Sequence, residues 1–224
     1  MKKKKKKKRL RVKSVLKILF LVPIIVIIYF ISKIPVRNFY VNNNTYLSDE
    51  QVLNELKLDK NSSFLLTNHI ILNKNIEKSK YIKEVRFSRN LSLEVTLDVS
   101  LYRRLFYDNE KNKVILENGT EIDYERDDLP VLINKIEDSK IYESLVNKMM
   151  KIDDNTLNII SEISYTPNDI DKERFLFSMN DGNYVYVTLT KLKNINEYKN
   201  IIDSVENKKG ILYLDYGNYF VPSE

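Results

Sequence analysis

Residues 81–99 read YIKEVRFSRNLSLEVTLDV, and apolar and polar positions alternate along them. In the first half Tyr81, Lys83, Val85 and Phe87 share one side, against Ile82, Glu84, Arg86 and Ser88. In the second half Leu93, Val95, Leu97 and Val99 share one side, against Glu94, Thr96 and Asp98. Successive side chains of an extended chain point to opposite faces, so this period of two predicts a pair of half-buried strands. Arg89-Asn90-Leu91 supplies the turn between them.

Upstream, Val36 to Val41 is a short strand-like stretch, followed by Asn42-Asn43-Asn44, residues that tolerate left-handed backbone angles. Ser48, with Gln51 three positions on, forms a capping box, and Val52, Leu53 and Leu56 continue an apolar stripe to about Leu58. A second helix is expected from Asn68 or His69 to Lys78, with Ile70, Ile71, Leu72 and Ile76 as its apolar positions. Residues 36–100 therefore read strand, helix, helix, strand, strand, with two helices packed on one face of a three-stranded sheet.

Downstream the pattern is also mixed. Lys113 to Glu117, the turn Glu117-Asn118-Gly119-Thr120 and Glu121 to Tyr124 predict paired strands. Ile141, Leu145, Val146, Met149 and Ile152 keep helical spacing. A further helix is expected to start at Asp153 or Asp154, with Leu157, Ile160 and Ile163 inward and Pro167 beyond its end. Phe175 to Met179, the turn Asn180-Asp181-Gly182-Asn183 and Tyr184 to Leu189 form the clearest hairpin signal. Ile195, Tyr198, Ile202 and Val205 suggest another amphipathic helix, and Gly210 precedes a last strand, Ile211 to Asp215.

The N-terminus differs in kind. Lys2 to Lys8, Arg9, Arg11, Lys13, Lys17 and Lys33 occur with no acid among residues 1–33, around the long apolar run Val15 to Ser32. At about 1.5 Å per helical residue this run spans roughly 27 Å, close to one hydrocarbon core. Lys17 can snorkel to the headgroups, and Pro23 can kink the helix without breaking it. Only Lys33 and Arg37 follow within fifteen residues, so the positive-inside rule places the N-terminus in the cytoplasm and the remainder outside. A secretory signal peptide shares the basic head, but the chain contains no alanine for an A-x-A-like cleavage site, and Ser32-Lys33-Ile34-Pro35 substitutes poorly. An uncleaved, single-pass anchor is expected.

Charge placement then changes the meaning of the net charge of +6. Twelve of the 37 Lys and Arg precede Ile34 and none of the 31 acids do, which leaves residues 34–224 with 25 bases against 31 acids, a net −6. The basic tail fits topology and attraction to anionic lipid, and no nucleic-acid partner is expected. Absence of cysteine removes disulfides, Cys-ligated zinc and thiol nucleophiles, so packed cores must supply stability.

Chemistry-bearing motifs are missing. Four glycines, at 119, 182, 210 and 217, are too few and wrongly spaced for a phosphate loop or a G-x-S-x-G elbow. His69 is the only histidine, which excludes multi-His metal sites and leaves it an ordinary residue. Ser14 to Lys17 matches S-x-x-K only at the membrane border. Asp127-Asp128 and Asp153-Asp154 could be nominated as a glycosidase pair, but no spacing selects either; Asp153 and Asp154 stand where a helix dipole favours acids. No catalytic, metal or cofactor residue is assigned.

The order of anchor, small βααββ module and larger strand-rich domain resembles the DivIB/FtsQ family of bacterial division proteins. Val41-Asn42-Asn43 followed by Leu47-Ser48-Asp49-Glu50-Gln51-Val52 is similar to that family's entry into its POTRA (polypeptide-transport-associated) module, with Asn42 where Gly is usual. Ile82 to Arg89 and Leu93 to Leu97 resemble its closing strands. The usual Glu and Pro after the third strand are absent from Val99 to Arg104. Val114-Ile115-Leu116-Glu117-Asn118-Gly119, Leu129-Pro130-Val131-Leu132 and the ending Leu212 to Pro222 resemble its β domain.

The resemblance implies an α+β chain with a basic cytoplasmic tail (1–14), a transmembrane helix (15–34), a POTRA-like domain (35–103), a larger mixed β-rich domain with helices (104–222) and a short C-terminal end (223–224). It also implies a non-enzymatic divisome scaffold that binds FtsL and DivIC (FtsB in other lineages) outside the membrane and helps control septal wall synthesis. A terminal strand bearing Tyr213, Asp215, Tyr216, Tyr219 and Phe220 offers backbone and aromatic anchors for such a partner. The competing expectations are a membrane-tethered wall hydrolase and a POTRA-bearing export component.

Overall fold

The computed structural model describes residues 12–125 and 128–223. The basic run Lys2 to Arg11 and the first member of the Asp127-Asp128 pair lie outside them. The chain divides into two units between Leu101 and Tyr102.

The first unit begins with helix α1 (Val12–Ile31), which contains Pro23. The side chains of α1 are described from Lys17 onward, and among the described residues no helix is long and apolar enough to cross a membrane. Strand β1 (Asn38–Asn42) follows, then α2 (Asp49–Glu55), α3 (His69–Ile76), β2 (Ile82–Arg89) and β3 (Glu94–Leu101). The order across the sheet is β1-β3-β2. β1 lies parallel to β3, from Asn38 opposite Glu94 to Asn42 opposite Asp98, and β2 is antiparallel to it. A parallel neighbour needs a crossover, and the helices between β1 and β3 provide part of it.

Local chemistry sets the helix starts. Ser48 Oγ accepts the Gln51 backbone N–H while Gln51 Oε1 accepts that of Ser48, the reciprocal box that begins α2. Asn68 Oδ1 accepts the N–H groups of Ile70 and Ile71 to begin α3. Asn43 takes φ 63 in the turn after β1. Val52, Leu56, Leu72, Ile82, Val85, Val95, Leu97 and Val99 close a core between the helices and the sheet.

Two expectations are corrected here. Ile70 and Ile71 are exposed, and Leu72 is the buried residue of α3. In β2 both Ile82 and Val85 are buried, because the register shifts between Ile82 and Glu84. This irregularity inserts a residue into the alternation and moves Ile82 to the core side.

The second unit is built on a nine-stranded sheet. Its elements are β4 (Arg104–Asp108), β5 (Lys113–Leu116), β6 (Glu121–Ile122), β7 (Val131–Leu132), α4 (Ser139–Met149), α5 (Asp154–Leu157), β8 (Ile160–Tyr165), β9 (Arg174–Met179) and β10 (Tyr184–Thr188). A 3-10 segment (Leu189–Glu197), α6 (Tyr198–Ser204), β11 (Gly210–Tyr213) and β12 (Tyr219–Pro222) complete it. The strand order is β12-β11-β10-β9-β8-β7-β4-β5-β6. The β7–β8 and β10–β11 neighbours are parallel, and their crossovers carry α4 and the 3-10 segment with α6. Leu145, Met149, Leu192, Ile195 and Ile202 of these crossovers pack on Phe106, Phe175, Phe177 and Val187 of the sheet. Arg103 steadies the C-terminal end of α4, donating to the carbonyls of Met149, Met150 and Ile152 at 3.2, 3.1 and 2.9 Å.

The helix expected from Asp153 through Ile163 is a single turn, α5, and Ile160 and Ile163 lie instead in β8. Both are buried because the β8–β9 register shifts between Ile160 and Glu162. A bulge thus reproduces the three-residue spacing of a helix face. The helix predicted around Ile195 to Val205 starts as a 3-10 segment and becomes α-helical only at Tyr198. The final strand is two strands: β11 ends at Tyr213, and β12 follows as an antiparallel edge.

Candidate partner-binding site

The five residues assigned to partner binding are distributed over β11, the turn after it and β12. β12 pairs with β11 from Gly210 opposite Pro222 to Tyr213 opposite Tyr219, and it ends the sheet. An edge strand presents unpaired backbone N–H and C=O groups, the template for an added strand. Tyr216, Tyr219 and Val221 are 52%, 50% and 44% exposed, whereas Phe220 turns inward against the core.

Gly210 makes this edge possible. A Cβ at this position would overlap the Val221 carbonyl oxygen and stand 2.8 Å from Phe220 Cζ, so only a residue without one lets β12 close on β11 as seen here.

A stripe of side chains crosses four strands behind the edge. The Arg174 guanidinium of β9 lies 3.6 Å from the Tyr186 ring centroid on β10. Tyr186 stacks on Tyr213 with centroids 5.4 Å apart, and Tyr213 on Tyr219 at 4.7 Å and an interplanar angle of 11°. Tyr213 is thus an interior rung that supports Tyr219. Asp215 is buried, and Arg174 Nε donates to its Oδ2 at 2.8 Å. Burial works against the Arg174 charge, but the hydrogen bond and charge of Asp215 prevail and raise its pKa. The Asp215 carbonyl also accepts from Lys191 Nζ at 2.7 Å. Asp215 therefore fixes the turn that presents Tyr216 and does not itself face solvent.

A second cluster, buried at Asn183 and Tyr198 and exposed at Asp181, holds the start of β11. Asn183 accepts the Gly210 N–H on its Oδ1 at 2.8 Å and donates from Nδ2 to the Tyr198 hydroxyl and to Asp181. The Tyr198 hydroxyl donates to Asp181 at 2.7 Å. Burial is the first cause that pushes the Tyr198 phenol well up, and the Asp181 hydrogen bond adds to it. Burial alone would raise the Asp181 carboxyl, but hydrogen bonds from Tyr198 and Asn183 and the Lys209 charge hold it below the usual range.

Among the described residues, no group of three or more His, Cys, Asp or Glu is placed to hold a metal ion. Asp154 of the nominated Asp153-Asp154 pair binds Arg103 at 2.6 Å, and His69 packs edge-on against Phe87. Neither arrangement marks a reaction centre. The sequence reading missed β12, Val221 and the Arg174–Tyr186 support. Asp215-Tyr216-Gly217-Asn218 carries turn-forming residues between two β-rich runs, and that signal identifies the β11–β12 hairpin.

Comparison with known proteins finds a domain match in the first unit and relatives over most of the chain. Residues 34–100 match the sequence profile of the POTRA domain, FtsQ-type. The cell division protein DivIB of Bacillus anthracis is 29% identical over 227 residues, covering 97% of this chain and 85% of that protein. DivIB of Geobacillus kaustophilus is 28% identical, covering 91% and 81%, and that of Bacillus subtilis is 27% identical, covering 90% and 80%. The solved major extracytoplasmic domain of the division protein DivIB from Geobacillus stearothermophilus, in its trans isomer, is 24% identical with a TM-score of 0.40. It covers 48% of this chain and 97% of that one.

Proposed function

We propose that this chain, which belongs to the DivIB/FtsQ family of cell division proteins, works as a non-enzymatic scaffold anchored in the cell membrane. Its domains stand outside, at the division septum, where they bind a coiled-coil pair of the FtsL and DivIC (FtsB) type and help control septal peptidoglycan synthesis. The observation that carries this reading is the β12 edge, four residues long, with no charged side chain from Tyr216 to Ser223. A partner strand added there gains backbone hydrogen bonds and meets Tyr216, Tyr219 and Val221, with Tyr213 and Phe220 supporting them from beneath. The net −6 of residues 34–224 favours a basic partner segment. The acid-free run Val15 to Ser32, with one charge at Lys17, supports a single crossing with the basic tail on the cytoplasmic side, against anionic lipid.

The test is a calorimetric titration of the full chain in detergent micelles with the extracellular FtsL/DivIC heterodimer, alongside a Tyr216→Ala/Tyr219→Ala/Val221→Lys variant. Micromolar or tighter binding that weakens at least tenfold in the folded variant supports the site. Unchanged binding moves the interface elsewhere, and no binding removes the scaffold reading.

A further inference from the structure

The first unit carries an apolar rim that the partner edge does not use. Because β1 runs parallel to β3 from Asn38 opposite Glu94, the start of β1 and the β2–β3 turn lie at the same end of the sheet. The Arg37 N–H donates to Leu93 O at 2.8 Å there. The loop before α3 joins this end: Val36 N–H donates to Ser62 O and Phe64 N–H to Ile34 O, both at 2.9 Å, and Pro35 bridges Ser63. Arg89 closes the ring, donating from Nη1 to Phe64 O at 2.9 Å and lying over the Phe64 and Phe87 rings.

Four large apolar side chains project from this rim into solvent: Leu65 and Leu66 of the loop, Ile70 in the first turn of α3 at 82% exposure, and Leu91 in the hairpin turn, fully exposed. Such a cluster on a small domain marks a contact surface. Its charge is mainly basic, the flanking acids being tied up locally: Glu94 to Asn90 and Tyr40, and Asp59 to Asn61 and Ser62. The segments that build it, residues 33–48, 61–76 and 85–93, contain no Asp or Glu, although the exported part as a whole carries an excess of acid. Lys33, Arg37 and Arg89 are exposed around it. Apolar side chains ringed by bases are the composition of segments that lie in a lipid–water interface.

The position of the rim identifies its occupant. Helical hydrogen bonding continues past Ile31, with Ser32 N–H donating to Ile28 O, Lys33 to Phe30 O and Ile34 to Ile31 O. Ile34, to which the rim is hydrogen-bonded, is therefore less than ~10 Å along the chain from the end of α1. The headgroup layer outside the hydrocarbon core is about 5–8 Å thick on each side.

We infer that this rim docks into the headgroup layer of the bilayer in which the proposed anchor, Val15 to Ser32, is held. Leu65, Leu66, Ile70 and Leu91 reach the acyl boundary, and Lys33, Arg37 and Arg89 lie at phosphate level. The inference rests on the proposed anchor. It gives the first module a fixed standing on the membrane in place of a free tether.

The chain has no cysteine, so single labelling sites can be introduced in the full-length protein. Leu66→Cys and Leu91→Cys probe the rim, Ile28→Cys probes α1, and Glu50→Cys, in the first turn of α2 beyond the far end of β1, is the reference. Each is labelled with an environment-sensitive fluorophore and reconstituted in phosphatidylcholine/phosphatidylglycerol vesicles containing lipid with a nitroxide near the headgroup or deep in the chain. The expected result is quenching at 66 and 91 by the shallow nitroxide at least twofold above that at 50, with 28 quenched by the deep one. Labels at 66 and 91 that behave like 50 while 28 is quenched would leave the anchor standing and overturn the rim contact. Blue-shifted but unquenched labels at 66 and 91 would mean that protein, a partner or a second copy, covers the rim, which also overturns it. An unquenched label at 28 overturns the anchor and, with it, the geometry on which the contact rests.

Discussion

The two edges of the nine-stranded sheet are built in opposite ways. β6 is two residues long, and its Glu121 binds Lys111 at 2.6 Å while Lys113 pairs with Asp123 alongside. β12 is four residues long, uncharged, and shows Tyr219 and Val221 to solvent. Short length and charge are how proteins keep sheet edges from pairing with other chains. One sheet carries charge and a two-residue strand at one margin, while at the other only the strand-end Pro222 opposes pairing; the contrast is what the proposed partner site on β12 requires.

Four perturbations would break or sharpen that contrast. The largest effect is expected from Asp215→Ala, which leaves the Arg174 side chain, only 15% exposed, without its buried partner. Urea denaturation should show a loss of about 3–5 kcal/mol, and binding should fall with it. Gly210→Ala comes next, because its Cβ meets the Val221 carbonyl. A cost of about 1–3 kcal/mol is expected, together with faster amide exchange confined to β12. Tyr198→Phe removes one hydroxyl from the cluster beneath β11 and should cost about 1 kcal/mol. It carries a pH signature as well. Burial raises the folded phenol's pKa, so its stabilisation is complete below the unfolded value of about 10 and is lost as pH rises through the folded one. The decline in urea midpoint above that pH should therefore be shallower in Tyr198→Phe, with the raised Tyr142 phenol accounting for some of what remains. Glu121→Ala, at the protected margin, should change stability by no more than about 0.5 kcal/mol and leave partner affinity unchanged. An affinity loss there would show that the two margins do not differ in function.

What the sequence disclosed depended on how local the determining interaction is. The β9–β10 hairpin was legible because Asp181-Gly182 forms its turn within a few residues, with Gly182 at φ 88. The Ser48–Gln51 box was legible for the same reason. Ile160 and Ile163 misled, since a bulge and a helix both place residues three apart on one side. β4 and β7 were not read as strands; their parallel pairing, Tyr107 opposite Val131, joins segments 24 residues apart and leaves no mark in either. At the candidate site Tyr216 and Tyr219 were legible as aromatics in a polar, turn-rich ending. The burial of Asp215 was not, because its partner Arg174 lies 41 positions away.

The stacked rings of Tyr186, Tyr213 and Tyr219 give this protein an optical property of its own. With 15 tyrosines and no tryptophan, its near-ultraviolet circular dichroism comes mainly from phenol and phenylalanine chromophores. Rings within about 5 Å, two of them nearly parallel, couple their transitions strongly. Lifting β12 from the sheet uncouples Tyr219 from the other two, so seating and release of the edge can be followed by light absorption alone, in unlabelled protein.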